Sequence, residues 1–148
     1  MKVLSLLSIL AGTALAIPSA ELAKRDPELH ARATAAATVC GSGYSFQDAI
    51  PLPEGTDPDM RLAMLFSYEN NGNGCAILDN NTGPSQYMYI RVCNVDGSSC
   101  DTDSGTFSEY AGPVYVKSFA CAEVTAKMGE TSGSLYIDYQ SDYVFPCN

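Results

Sequence analysis

Cysteine is the residue type that dominates the chemistry available to this sequence. All six cysteines lie after position 39 of the 148-residue chain, and their even number predicts three disulfides and no free thiol. They are Cys40, Cys75, Cys93, Cys100, Cys121 and Cys147. Because Cys93 and Cys100 enclose Asp96-Gly97, a favoured hairpin turn, these two are predicted to pair. The connectivity of the other four stays open.

Groups that could catalyse a reaction near neutral pH are scarce. The single histidine, His30, lies in an N-terminal region expected to be removed, so Ser-His-Asp and Cys-His catalysis are excluded. Zinc is disfavoured because the chain has no Cys-x2-Cys spacing. Abundant carboxylates leave a small polysaccharide hydrolase as one alternative. We expect a protein that is not an enzyme, with no catalytic residue, no cofactor and no metal.

Acidic residues concentrate in one segment, 96–109, which is predicted to be a loop. The Asp101-x-Asp103-x-Gly105 spacing is similar to part of a calcium loop. It departs from the EF-hand pattern because the glycine is one position early and no glutamate stands at position twelve. A solvated acidic turn is the prediction, with calcium as the alternative.

One glycosylation sequon is present. Asn80-Asn81-Thr82 lies within a cluster of turn-forming residues, which predicts a solvent-facing loop with a glycan on Asn80. An unused sequon is the alternative.

Tyrosines and cations alternate on two predicted strands. Tyr87, Tyr89 and Arg91 would share one strand face, and Tyr115 and Lys117 have the same relation on a later strand. Faces of this composition are common in recognition surfaces, so these five residues are the candidate binding face. An ordinary outer face of a sheet has the same composition and remains the alternative.

The period of the apolar residues predicts β structure. Residues 60–68 alternate between an apolar face carrying Met64, Phe66 and Tyr68 and a face that is mostly polar. The competing interpretation is a helix that begins at Asp57-Pro58.

Further strands are predicted from runs of β-branched and aromatic residues bounded by Gly, Asn, Asp and Pro. These runs are 86–93, 113–121, 122–128, 134–139 and 142–145. Short strands separated by frequent turns are typical of antiparallel architectures. The predicted fold class is therefore mostly β, a small antiparallel sandwich or barrel stapled by disulfides, with room for one short helix.

The N-terminal region predicts export and processing. Lys2 precedes an apolar run, 3–16, that ends in Ala14-Leu15-Ala16, as in a signal peptide, and the run is too short to span a bilayer. Lys24-Arg25 is a dibasic cleavage signal, and Arg32 offers a second cut. The predicted organisation is a signal peptide at 1–16, a pro-segment or attached disordered arm at 17–32, a linker at 33–39 and one disulfide-rich β domain at 40–148.

The charge of the chain narrows the range of partners. The formal net charge is −9, and a cut after Arg32 would leave four basic and fourteen acidic residues. Such a surface is repelled by phosphate backbones and anionic lipids, so neither nucleic acid nor membrane is an expected partner. We expect a secreted, extracellular monomer.

The export signal, the Lys24-Arg25 pro-segment, the even cysteine set and the acidic β domain together resemble the small secreted cysteine-rich effectors and elicitors of filamentous fungi. Those that induce a hypersensitive response are the most similar group. The resemblance implies a non-enzymatic protein that binds a host or competitor molecule, protein or glycan, outside the cell and triggers plant cell death or defence. An antimicrobial or killer-type toxin is the alternative from another class.

Overall fold

The computed structural model describes residues 27–141 and 144–147. One α-helix, α1 (Pro27–Cys40), precedes eight strands, and a single 3-10 turn covers Pro58–Met60. The strands are β1 (Ser45–Leu52), β2 (Ala63–Asn70), β3 (Asn73–Asn80), β4 (Gln86–Cys93), β5 (Cys100–Phe107), β6 (Tyr110–Val116), β7 (Glu123–Thr131) and β8 (Ser134–Ser141).

The strands form two four-stranded antiparallel sheets. Sheet 1 has the order β1-β2-β3-β6 and sheet 2 the order β5-β4-β7-β8. Their inner faces enclose an apolar core that includes Leu65, Leu78, Ile90 and Met128, all fully buried. The prediction of a mostly β fold is confirmed, and of the two architectures considered the protein adopts the sandwich.

All six cysteines are paired in disulfides. The bridges are Cys40–Cys75, Cys93–Cys100 and Cys121–Cys147. Cys93 and Cys100 are opposite each other in the β4–β5 register, as the intervening turn predicts. The first bridge ties the helix to β3, and the third ties the C-terminal segment to the start of β7.

The segment predicted as a linker, 33–39, is instead part of α1. Its small alanines let the helix lie directly on the outer face of sheet 1, where Ala33 is buried beside Phe66 and Tyr68. The Tyr68 hydroxyl donates to the Ala33 carbonyl oxygen at 2.6 Å. The helix ends where Gly41 adopts a left-handed φ of 109°. The alanine-threonine composition of residues 33–39 has the low complexity of a linker. The segment is helical because it packs against sheet 1.

This helix also explains an error in the expected polarity of β2. The strand itself is confirmed, and Met64, Phe66 and Tyr68 do share one face. The opposite face was expected to be mostly polar, but every residue from 63 to 68 is buried. Leu65 and Ala63 point into the core between the sheets, while the other face is covered by α1.

The remaining strand predictions are partly confirmed. The strand predicted at 86–93 is β4 with the same bounds. The strand at 113–121 ends earlier, at Val116, and those at 122–128 and 134–139 extend further than predicted. Of the strand predicted at 142–145, residues 142 and 143 lie outside the described part, and residues 144 and 145 are not in a strand. Strands β1, β3 and β5 were not predicted.

The predicted acidic loop is wrong for most of its length because residues 100–107 form β5. This strand lies beside β6 at one edge of the sandwich. The Asp101 carboxylate accepts from the Tyr115 N–H at 2.8 Å, and the Asp103 carboxylate accepts from the Gly112 N–H at 2.8 Å. The acidic side chains therefore satisfy backbone donors of β6 and join the edges of the two sheets.

The predicted signal peptide and the dibasic site lie outside the described residues. Within 27–141 and 144–147, no helix is long and apolar enough to cross a membrane.

Candidate ligand-binding site

Asn80, the predicted glycan acceptor, is not in a solvent-facing loop. It is the last residue of β3 and only 3% exposed. Its side-chain nitrogen donates to the carbonyl oxygens of Pro84 at 2.9 Å and Phe107 at 3.1 Å, and its side-chain oxygen accepts from the backbone N–H and hydroxyl of Thr82. Because both amide hydrogens are used and the group is buried, a glycan on this nitrogen is incompatible with the folded arrangement. The expectation of an exposed acceptor is wrong.

The five residues of the predicted binding face divide between the two sheets. Tyr87, Tyr89 and Arg91 lie on the outer face of sheet 2, whereas Tyr115 and Lys117 belong to β6 and the residue that follows it, at the edge of sheet 1. The fold therefore does not present them as one surface.

On sheet 2, Tyr89 and Arg91 are engaged by their neighbours on adjacent strands. The Lys127 ammonium lies 6.0 Å from the centre of the Tyr89 ring and 3.4 Å from the Asp138 carboxylate. The Arg91 guanidinium lies 3.2 Å from the Cys100 sulfur. Cross-strand pairs of this kind are typical of a solvated outer sheet face, as in the alternative interpretation.

On sheet 1, Tyr115 lines an open depression of about 470 Å³, which we call the tyrosine cleft. Tyr44, in the segment between α1 and β1, faces Tyr115 with ring centres 6.0 Å apart and ring planes at 54°. The cleft is lined by Tyr44, Asn73, Ser99, Cys100, Asp101, Tyr115, Val116 and Lys117. Its side chains thus come from four separated segments of the chain.

Tyr115 is held in position by hydrogen bonds from its side chain and from its backbone. Its hydroxyl donates to the Cys40 carbonyl oxygen at 3.1 Å, and its backbone N–H donates to Asp101. Tyr115 is also directly opposite Cys75 in the β3–β6 register, so the Cys40–Cys75 bridge lies next to it. One disulfide therefore lines the cleft through Cys100, and a second constrains the strand that pairs with Tyr115.

The cleft offers a cation, a carboxylate and two phenol rings. Lys117 is exposed and makes no ion pair within the described residues, while Asp101 supplies a carboxylate. Burial, and then the neighbouring Tyr115, raise the pKa of Tyr44 above its usual value.

Sequence reasoning missed Tyr44, Asn73 and Ser99 as members of the cleft, and it assigned Asp101 to a calcium alternative. Tyr44 and Asn73 both lie outside every predicted strand. Period-two patterns show which residues share a face of one strand, but not which segments meet at an edge.

A second concavity, of about 450 Å³, lies between α1 and the end of β3. Several of its polar groups are bonded to one another. The Arg32 guanidinium donates to the Asn81 side-chain oxygen at 2.6 Å and the Asn80 carbonyl at 3.1 Å, and it lies 2.9 Å from the Asp79 carboxylate. These bonds hold α1 on the sheet, so we assign this groove a structural role.

Those contacts bear on the predicted cut after Arg32. Cleavage there would require the helix to unwind around buried Ala33 and would remove the cation that pairs directly with the buried Asp79 carboxylate. We therefore expect N-terminal sequencing of the secreted protein to find Arg32 retained in the mature chain. Arg32→Gln should lower the free energy of unfolding by about 2 kcal/mol, a value reduced from that of a buried pair because Arg32 is partly exposed. A secreted product beginning at Ala33 that is as stable as the longer form would contradict this.

Within the described part of the chain, no group of three or more His, Cys, Asp or Glu side chains is placed to hold a metal ion. The carboxylates of the calcium alternative are dispersed. Asp101 and Asp103 bond to β6, and Asp96 accepts from the Ser98 N–H in its own turn at 2.8 Å.

Comparison with known proteins identifies a bacterial relative. Spore-associated protein A of Streptomyces coelicolor (strain ATCC BAA-471 / A3(2) / M145) is 36% identical over 100 residues, which cover 62% of this chain and 60% of that protein. The chain thus spans about 60% of the length of the relative it matches. No protein-family model matches the chain, and no solved structure matches it.

Proposed function

We propose that this protein acts outside the cell, at a cell or spore surface, by binding another molecule rather than by transforming one. Three disulfides in a small domain support an oxidising, extracellular location because such bridges are rare in reducing compartments. The apolar run at 3–16 supports export, and the relative's description as spore-associated supports a surface role.

The tyrosine cleft is the observation that carries the binding function. It combines two aromatic rings with amide, carboxylate and ammonium groups, one disulfide lines it, and a second constrains the strand that pairs with Tyr115. Aromatic rings with a few convergent polar groups are the usual composition of a recognition site. We also propose that the protein does not catalyse a reaction. The support is that all six cysteines are paired in disulfides, so none is available as a thiolate nucleophile.

In its narrower form, the proposal is that the bound molecule belongs to a host or competitor and that the protein is an effector or elicitor. The support is the layout of the chain: a predicted export signal, a predicted pro-segment with the dibasic Lys24-Arg25 site, and an acidic, disulfide-rich β domain.

Surface binding is tested with labelled protein incubated with intact plant cells and with cells or spores of the producing organism. We expect saturable binding that Tyr115→Ala reduces at least about fivefold, whereas Tyr87→Ala, which removes a tyrosine from the outer face of sheet 2, leaves it unchanged. Equal loss in both variants, or no saturable binding to any surface, would contradict the proposal.

The narrower form is tested by infiltrating the purified protein into leaves, with a Tyr115→Ala arm and a reduced and alkylated control. Necrosis or a defence response that depends on Tyr115 and on intact disulfides is the expected result. Inert leaves together with inhibited growth of fungal or bacterial cultures would favour the toxin alternative instead.

A further inference from the structure

We propose that the ligand of the tyrosine cleft is a neutral glycan, with one sugar ring stacked on Tyr115 and its hydroxyls bonded by the polar groups around it. The inference rests on the proposed binding function and names the chemical class of the ligand. The sequence pattern indicates Tyr115 and Lys117 as binding candidates but not the cleft itself, because its lining segments lie as far apart in the chain as Tyr44 and Tyr115.

The aromatic part of the cleft suits the apolar face of a sugar ring. Tyr115 is 41% exposed, one of the few large hydrophobic side chains that the described residues present to solvent. Because its hydroxyl is bonded to the Cys40 carbonyl and its N–H to Asp101, the ring is held in place while solvent reaches it. Tyr44, inclined at 54° to it, closes one side of the cleft. A fixed and accessible ring costs little entropy when a ligand stacks on it.

The polar part of the cleft suits hydroxyl groups, which donate and accept hydrogen bonds at once. Asn73 is exposed and its amide supplies both functions, Ser99 offers a hydroxyl, and Lys117 offers donors. None of these three side chains has a hydrogen-bond partner of its own within 27–141 and 144–147. A ligand rich in hydroxyls could satisfy all three together.

An extended peptide fits this edge less well. Peptides that bind a sheet edge do so through free backbone donors and acceptors. At β6 the N–H groups of Gly112 and Tyr115 are already bonded to Asp103 and Asp101, and β5 lies alongside. The edge is therefore closed to strand addition, and recognition must proceed through the side chains.

A polyanion fits less well for reasons of charge. The chain carries a formal net charge of −9, and the cleft contains Asp101 beside its one cation, Lys117. An acidic chain would gain the attraction of Lys117 but would be repelled by the net negative charge of the protein. A neutral ligand avoids that repulsion.

The experiment is a titration of the full-length secreted protein with four neutral oligosaccharides, chitotetraose, laminaritetraose, cellotetraose and mannotetraose, and with one acidic oligosaccharide, tetragalacturonate. We expect at least one neutral ligand to bind. Tyr115→Ala should weaken that binding about tenfold, the value of one lost stacking contact, and Tyr115→Phe, which keeps the ring, should retain most of it. The matched control, Tyr87→Ala, should bind as the unaltered protein does.

Asn73→Ala provides a variant that does not disturb the core, because Asn73 is exposed at the start of β3. It should weaken binding several-fold even if Tyr115→Ala fails to fold. Undiminished affinity in Asn73→Ala and Tyr115→Ala would overturn the inference, as would binding of the acidic oligosaccharide alone. If no oligosaccharide binds but the protein still binds cell surfaces through Tyr115, the glycan inference fails and the binding function stands. If neither occurs, both fail.

Discussion

Removal of the Cys40–Cys75 bridge in the double variant Cys40→Ala/Cys75→Ala is expected to lower the free energy of unfolding by about 4 kcal/mol. The bridge joins residues separated by 35 positions, and the entropy that such a loop removes from the unfolded chain accounts for most of this value. Cys75 is also fully buried beneath α1, so the truncation leaves a small cavity. Urea denaturation at constant pH measures the loss.

The matched control is the double variant Cys93→Ala/Cys100→Ala. This bridge spans only 7 positions and closes a hairpin that the β4–β5 ladder already holds, so its loss should cost about 2 kcal/mol. Equal losses in the two variants would contradict the loop argument. No loss in the first variant would show that α1 stays on sheet 1 without its covalent tie.

Much of the sandwich could be predicted because period-two patterning directly reflects which side of a strand is buried. It predicted β4 with its observed bounds and placed β2, β6, β7 and β8 approximately. The Asp96-Gly97 turn identified the Cys93–Cys100 pair because a hairpin fixes the register of its own flanks.

The elements that were missed depend on contacts between distant parts of the chain. An alanine-rich segment gives no amphipathic signal of its own, and α1 is held by Cys75, Tyr68 and Asp79, which belong to β2 and β3. The sequence of strand β5 resembles that of a polar turn because Asp101 and Asp103 bond to the edge of β6 and do not face the core. The intrinsic propensity of a segment does not show which distant segment will pack against it in the fold.

The candidate site was predictable to the same limited extent. Tyr115 and Lys117 were identified from alternation along their strand, yet the residues that complete the cleft were not. The same alternation on β4 also selected residues that do not form a cleft. These are Tyr87, Tyr89 and Arg91, on an outer sheet face where Tyr89 and Arg91 contact side chains of neighbouring strands. One-strand patterns therefore find candidate side chains but do not distinguish a cleft from a flat face.

The stability of the protein is expected to rise as the pH falls from 7 to about 4.5, the reverse of the usual behaviour of acidic side chains. Asp48 and Asp79 are only 8% and 9% exposed. Burial raises the pKa of each carboxyl to about 6, although a hydrogen bond from the Ala49 N–H opposes the shift at Asp48 and Arg32 opposes it at Asp79. Between about pH 4 and 6 the folded state binds these protons and the unfolded chain does not, so protonation stabilises the fold. Each group contributes about 2 kcal/mol.

Asp48→Asn separates this burial effect from the general relief of negative charge. The amide keeps the shape of the carboxyl and an oxygen for the Ala49 N–H, which donates to Asp48 at 2.7 Å. We expect the variant to be more stable by about 2 kcal/mol at pH 7 and to lose about half of the pH dependence between pH 5 and 7. Asp96→Asn is the matched control because it removes the same unit of charge from an exposed turn, where hydrogen bonds to Ser98 lower the pKa of the carboxyl. That control should not gain stability at pH 7. Urea denaturation across the pH range decides the question, and an equal gain in both variants would assign the effect to net charge rather than to the buried position of Asp48.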